Sequence, residues 1–417
     1  MNCSSIKLAE WGDGVKNARG LRLSHNFDPT SHFTGPIFAH DFRQSSKLHF
    51  QRGEHPTEWK ETSMPAKETS LIRNAAYFGI GLACTGVGWA AARSRRRSQW
   101  AQGKVVVITG ASRGLGLALA EEFGKRGARL VLAARDAGEL LRARRKLLSI
   151  GAVRDEEDVL IVPADLRKSE EAEGLIDEAT RHFGRVDVLI NNAGVITVGP
   201  IENQKIEQFR NVMDSNFFTG LHCTLSVLPQ MLERGTGAIA NVTSIGGKIA
   251  VPHLLPYTVS KFASVGFSEG LGMELRSKGI RVTTICPGLM RTGSHQNALF
   301  TGDASREYRW FSLAASLPGL SIAASRAARQ IADGVASGAA EVVITPQAFF
   351  AARLGNLSPE LTRLAMRTMN VFLPSAQPGE SATHRGADIR EREWLPAKTI
   401  GAYAARRYNQ TGALARS

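Results

Sequence analysis

Cysteine is scarce in this chain. The four that occur, Cys3, Cys84, Cys223 and Cys286, show neither CxxC pairing nor a Cys/His spacing. That argues against a zinc module and against a disulfide scaffold, and it suits a reducing compartment. Cys223 and Cys286 fall in apolar runs, where a thiol acts as a small core residue rather than a nucleophile. Acidic residues are also in deficit, 38 against 52 basic ones, for a formal net charge of +14. The basic excess, however, lies mostly outside the middle of the chain. Residues 101–347 carry 28 basic and 25 acidic side chains, whereas 1–100 carry 14 and 8, and 348–417 carry 10 and 5. A nearly balanced middle argues against nucleic acid as a partner of the core. No repeat at solenoid spacing is present. At 417 residues, 43% of them hydrophobic, the chain can bury the core of one large domain or two ordinary ones.

The flanks have their own character. Residues 1–69 lack helical or strand periodicity and are rich in polar residues, His and Pro, so they read as disordered. The layout after Met64 resembles a natural start, which would make 1–63 a spurious extension. Residues 70–100 contain an uncharged run, Asn74–Ala92, closed by Arg93, Arg95, Arg96 and Arg97. Its nineteen residues, at about 1.5 Å each, match a bilayer core. Four glycines (79, 81, 86 and 88) make the run only mildly hydrophobic, so a soluble helix and a signal peptide ending at Ala90-Ala91-Ala92 stand as alternatives. The arginines after the run favour a membrane anchor with the following domain in the cytoplasm. Without the anchor the protein would be cytoplasmic.

From Lys104 short apolar runs alternate with amphipathic stretches. Strands are expected at Val105–Thr109, Leu130–Ala134, Val159–Val162, Val186–Asn191, Ala238–Thr243, Arg281–Cys286 and Glu341–Ile344. Their near-continuous apolarity, with helical segments between the first six, predicts a doubly wound parallel α/β sheet, a Rossmann fold, over residues 101–347. Residues 348–417 form a C-terminal region. Within it Phe349–Leu373 is amphipathic and basic, fit either for a membrane surface or for packing on the domain, and the tail from Ser375 reads as polar and irregular.

The first strand runs into Thr109-Gly110-Ala111-Ser112-Arg113-Gly114-Leu115-Gly116 before a helix. Glycines there allow a tight turn and let backbone N–H groups approach a diphosphate at a helix N-terminus. At the end of the second strand stands Arg135, where an acid would have accepted bonds from a ribose 2′-hydroxyl. Asp136 reads instead as the start of the next helix. With Arg113 nearby, two guanidiniums suit a 2′-phosphate, so NADP is favoured over NAD. Further along, Tyr257-Thr258-Val259-Ser260-Lys261 sets a phenol and an ammonium four residues apart on one helix face. A phenol titrates near pH 10, and an adjacent cation would bring it closer to neutrality. Ser244, thirteen residues upstream at the end of a strand, could hold a substrate carbonyl.

These motifs, with Asn191-Asn192-Ala193-Gly194 and Pro287-Gly288-Leu289-Met290-Arg291-Thr292, make residues 101–345 resemble the classical short-chain dehydrogenases/reductases. The resemblance implies that Tyr257 is the acid/base, that Lys261 holds the nicotinamide ribose and lowers the tyrosine pKa, and that Ser244 positions the substrate. It implies that Asn216 supports a water leading protons to the lysine. Asp165 would contact the adenine, Asn192, Ala193 and Gly194 would border the adenosine ribose, and Thr292 would bond the carboxamide. Cofactor contacts are expected from Gly110, Ser112, Arg113, Gly114, Leu115, Gly116, Arg135, Pro287 and Gly288 as well. Asn191 is open between a functional role and a structural one bridging central strands. Residues 288–320, with Phe300, Trp310 and Phe311, would form a lid over an apolar pocket or simply pack on the sheet edge. The implied activity is hydride transfer between NADP(H) and a lipophilic carbonyl or secondary alcohol, in a homodimer or homotetramer associated with a membrane. The competing reading is a catalytically silent nucleotide-binding scaffold at the membrane.

Overall fold

The computed structural model describes residues 95–389 and 395–410. Residues 1–69 and the run Asn74–Ala92, with the expectations attached to them, lie outside the described residues. Seven strands form one sheet: β1 (Val105–Thr109), β2 (Arg129–Ala134), β3 (Val159–Pro163), β4 (Val188–Asn191), β5 (Gly237–Val242), β6 (Ile280–Pro287) and β7 (Glu341–Ile344). All neighbours pair in parallel, in the order β7-β6-β5-β4-β1-β2-β3. Every expected strand is present, and β1 and β7 have the expected bounds.

Helices cover both faces, which is why the strands are apolar without alternation. Leu117 of α1 (Gly114–Lys125), Leu140 of α2 (Ala137–Ser149) and Ile331 of a later helix pack with Ile108 and Leu132 on one face. On the other, Leu175 of α3 (Ser169–Phe183) packs with Val227, Val107 and Ile239. Asp136 begins α2 as expected, its carboxylate accepting the Glu139 N–H at 2.7 Å. Two further helices, α4 (Ile206–Met213) and α5 (Thr219–Arg234), are joined by a π-helical stretch, Asp214–Phe218. The long helix α6 (Leu255–Leu275) follows β5 and starts with Pro256 in its first turn.

After β6 the chain builds α7 (Ala304–Ser316) and α8 (Ala324–Ser337), then β7. Phe300, Tyr308 and Phe311 are buried in a cluster of their own with Val198 and Ala304, and Trp310 packs against it. These aromatics therefore serve a satellite core instead of lining a substrate pocket. The stretch Phe349–Leu373 is two helices, α9 (Pro346–Leu357) and α10 (Pro359–Val371), broken at Ser358-Pro359. The tail is less irregular than its composition implies. His384–Arg385 pairs with Leu299–Phe300, and α11 (Leu395–Arg407) packs back on the domain. No described helix is long and apolar enough to cross a membrane.

Candidate active site

The C-terminal ends of the central strands open into a cleft of about 690 Å³. Its floor is the glycine turn after β1. Gly110 and Gly114 adopt φ of +64° and +60°, conformations costly for any side chain. Gly116 must be glycine for a different reason: a Cβ there would lie 2.1 Å from the Gly110 carbonyl oxygen. The loop after β4 is pinned to this turn. Thr109 Oγ1 accepts the N–H groups of Asn192 and Ala193 at 2.9 and 3.0 Å, and Asn192 Nδ2 donates to the Thr109 carbonyl at 2.9 Å.

At the outer end of the cleft Arg113 pairs with Glu139 at 3.0 Å, and Ser112 donates to the other oxygen of the same carboxylate at 2.9 Å. Burial pulls the Arg113 guanidinium below its usual range, as do the neighbouring Arg385 and Arg135, while Glu139 works in the opposite direction. Glu139 was not anticipated, because a lone acid in an amphipathic helix reads as surface charge. Asp165 lies beside these cations and is held by Arg167, whose hydrogen bond keeps its carboxyl below the usual range.

Deeper in, Tyr257 and Lys261 project from the first turns of α6 on one face. The Lys261 amine lies 5.7 Å from the tyrosine ring centre. Beside the tyrosine stands Ser244, two residues beyond β5, its Oγ accepting the Gly246 N–H at 3.0 Å; a Cβ on Gly246 would lie 3.4 Å from both the Ser244 Oγ and the Tyr257 ring. Burial pushes the phenol up, and Ser244 pulls it back down. Lys261 is 4% exposed and donates to the Val242 carbonyl at 3.0 Å. Burial brings its amine down to about 8. Burial and Ser244 dominate the phenol's proton affinity, and the Lys261 amine is turned toward Val242.

Asn216 sits in the π-helical stretch, a distortion that often accompanies functional positions. Its Oδ1 accepts the Val195 N–H at 2.7 Å, and its Nδ2 donates to the Val195 carbonyl at 3.1 Å and to Ser260 Oγ at 2.9 Å. A Cβ on Gly194 would come within 2.9 Å of Asn216 Oδ1 and 3.8 Å of Lys261 Nζ. Asn216 thus stands behind the wall that separates it from the cleft.

The other expected residues, from Gly110 through Thr292, all border one cavity. Asn191 resolves as structural: its Nδ2 donates to Thr224 Oγ1 and Asn241 Oδ1, both at 2.9 Å, tying β4 to β5 and α5. Among the described residues no cluster of three or more His, Cys, Asp or Glu could hold a metal. Cleft residues that the sequence did not disclose include Glu139, Asn297, Arg385 and Gln410.

Comparison with known proteins points to one family. Residues 104–300 match the family model described as short chain dehydrogenase. The chain is 37% identical over 213 residues to a dehydrogenase/reductase SDR family protein 7-like of Anopheles gambiae, covering 51% of this chain and 67% of that protein. It is 38% identical over 206 residues to dehydrogenase/reductase SDR family member 7 of Homo sapiens, covering 49% of this chain and 60% of that one. A crystal structure of a short-chain dehydrogenase/reductase from Burkholderia phymatum in complex with NAD superposes with a TM-score of 0.56 at 28% identity, over 63% of this chain and 95% of the other.

Proposed function

The chain belongs to the short-chain dehydrogenase/reductase family of oxidoreductases acting on CH–OH groups with a nicotinamide cofactor, and from that premise we propose an NADP(H)-dependent carbonyl reductase or alcohol dehydrogenase with Tyr257 as its acid/base. The observation that carries this is Tyr257 beside Ser244, with the Lys261 amine one turn along, at the inner end of a cleft floored by a glycine turn. The cleft suits a dinucleotide: a glycine turn packed so closely on Asn192 and Ala193 that a Cβ at Gly110 or Gly116 would collide borders it, together with the guanidiniums of Arg113 and Arg135. A bound nicotinamide supplies or accepts the hydride.

Everything else falls to the chain's own side chains. In the reducing direction Tyr257 gives its proton to the carbonyl oxygen, and Ser244 holds that oxygen in place. Lys261, charged below about pH 8, favours the phenolate that remains. Asn216 keeps the Val195 segment fixed beside it and supports the return of a proton toward the lysine. Arg113 and Arg135 at the outer end favour NADP over NAD. Val195, Ile196, Met290 and Leu299 line the cleft and favour a lipophilic substrate.

A homodimer or homotetramer would cover Leu225 of α5 and Val259, Phe262 and Met273 of α6, all of which are exposed. The uncharged run and arginine cluster between residues 74 and 97 favour membrane anchorage with the catalytic domain in the cytoplasm. Fluorescence titration with NADPH and NADH, followed by a panel of steroid, retinoid, acyl and aromatic carbonyls, tests the reading. Tighter binding of NADPH and reduction of apolar carbonyls are expected. A chain that binds neither dinucleotide would contradict it.

A further inference from the structure

The last described residues are built into the dinucleotide cleft, although they lie far beyond the stretch that matches the family. Arg407 forms a two-pronged ion pair with Glu121 of α1, at 2.6 and 2.7 Å. The Tyr408 carbonyl accepts the Gly114 N–H at 2.8 Å, so the strap takes one of the N–H groups that a helix N-terminus leaves unpaired. Asn409 Nδ2 donates to the Ser112 carbonyl at 2.8 Å. Gln410 is 6% exposed, and its amide nitrogen would lie 2.6 Å from a Cβ on Gly114. Asn297 joins this wall to a second segment, bonding the Gln410 side chain with its Nδ2 and accepting from the Arg385 guanidinium with its Oδ1. The result is a wall facing the glycine turn.

That wall carries a cation, Arg385, with no anionic partner among the described residues. Arg113 has Glu139, but neither Arg135 nor Arg385 has a carboxylate within 4.0 Å among the described residues. All three guanidiniums border the same cleft. Like charges gathered around one cavity repel, and an anion between them relieves the repulsion. Arg113 flanks the end of β2, where Arg135 follows. Arg385, also a neighbour of Arg113, is tethered through Asn297 and Gln410 to Gly114, at the glycine turn. We propose that the C-terminal strap completes the cofactor site, with Arg385 donating to the diphosphate of the dinucleotide. Gln410, Asn297 and the Arg407–Glu121 pair hold that wall in register. This rests on the dinucleotide reading above and extends the site to residues that the family domain does not contain.

The test is a titration of the full chain and its Arg385→Gln variant with NADPH and with NADH at low salt, followed by fluorescence. Arg276→Gln, which removes the same charge from an exposed site, serves as control. A group that bonds the diphosphate serves both dinucleotides, so Arg385→Gln is expected to weaken both by a similar factor, roughly tenfold or more. The melting temperature and the Arg276→Gln affinities should stay near wild type. Unchanged affinity for both dinucleotides overturns the proposal. A loss confined to NADPH also overturns it, because it would assign Arg385 to the 2′-phosphate. Wild-type protein that binds neither dinucleotide would refute the parent reading instead, and the two failures are distinguishable.

Discussion

Lys261 is an ammonium held where charge is disfavoured, and Lys261→Met, close to it in length, measures how strongly. Burial brings the amine from 10.5 down to about 8. At about 1.36 kcal/mol for each pKa unit, the folded state carries a penalty on the order of 3 kcal/mol for keeping the charge. The sign follows from linkage. A lysine whose folded pKa lies below its unfolded value destabilises the fold in full below pH 8, and the penalty fades between pH 8 and 10.5. Methionine removes the penalty but also leaves the Val242 carbonyl without the donor it had at 3.0 Å, which costs about 1–2 kcal/mol. The net gain at pH 7 is about 1–2 kcal/mol, or a rise of a few degrees in melting temperature. Thermal unfolding of the cofactor-free proteins at pH 7 and pH 10 reads this directly. The variant should be inactive yet more stable at pH 7, and level with or below wild type at pH 10. A variant less stable at pH 7, or an offset equal at both pH values, would refute the electrostatic reasoning.

Two further outcomes follow from packing. Gly116→Ala puts a methyl 2.1 Å from the Gly110 carbonyl oxygen and 2.7 Å from Asn192 Nδ2, neither of which can yield without opening the turn. Dinucleotide affinity should fall more than tenfold with a lowered melting temperature, as read by fluorescence titration and thermal unfolding; wild-type affinity would show that the turn is softer than its geometry implies. Burial pushes the Cys223 thiol up to about 12, so at pH 8 it is protonated as well as inaccessible. Mass spectrometry after iodoacetamide should find it unmodified in native protein and alkylated only after denaturation, whereas rapid native labelling would expose an error in the packing of α5.

Sheet and cleft were legible in the sequence to different degrees. The strands could be read because helices on both faces make their inner positions continuously apolar, as in Val105–Ile108 and Val342–Ile344. The inner site could be read because its residues sit at fixed offsets from strand ends and along one helix face, as Ser244, Tyr257 and Lys261 do. Glu139 escaped because its partners, Ser112 and Arg113, lie more than twenty positions away and meet it only when α1 and α2 start side by side. The strap escaped for a similar reason. Arg385 and Gln410 become cleft residues through Asn297 and Gly114, contacts between distant segments that no local period records. Phe300 and Phe311 show the reverse: apolar residues after the last motif were compatible with a pocket or a core, and their burial with Tyr308 makes them core.

The account turns on whether Tyr257 passes the proton while a hydride moves. Single-turnover oxidation of NADPH by Tyr257→Phe, saturated with a ketone that wild type reduces, isolates that step from binding. The phenylalanine ring keeps the shape of the wall and removes only the hydroxyl beside Ser244. The rate constant should fall by about 10² to 10⁴, with NADPH affinity within a factor of two or three of wild type. Turnover within tenfold of wild type would contradict the assignment.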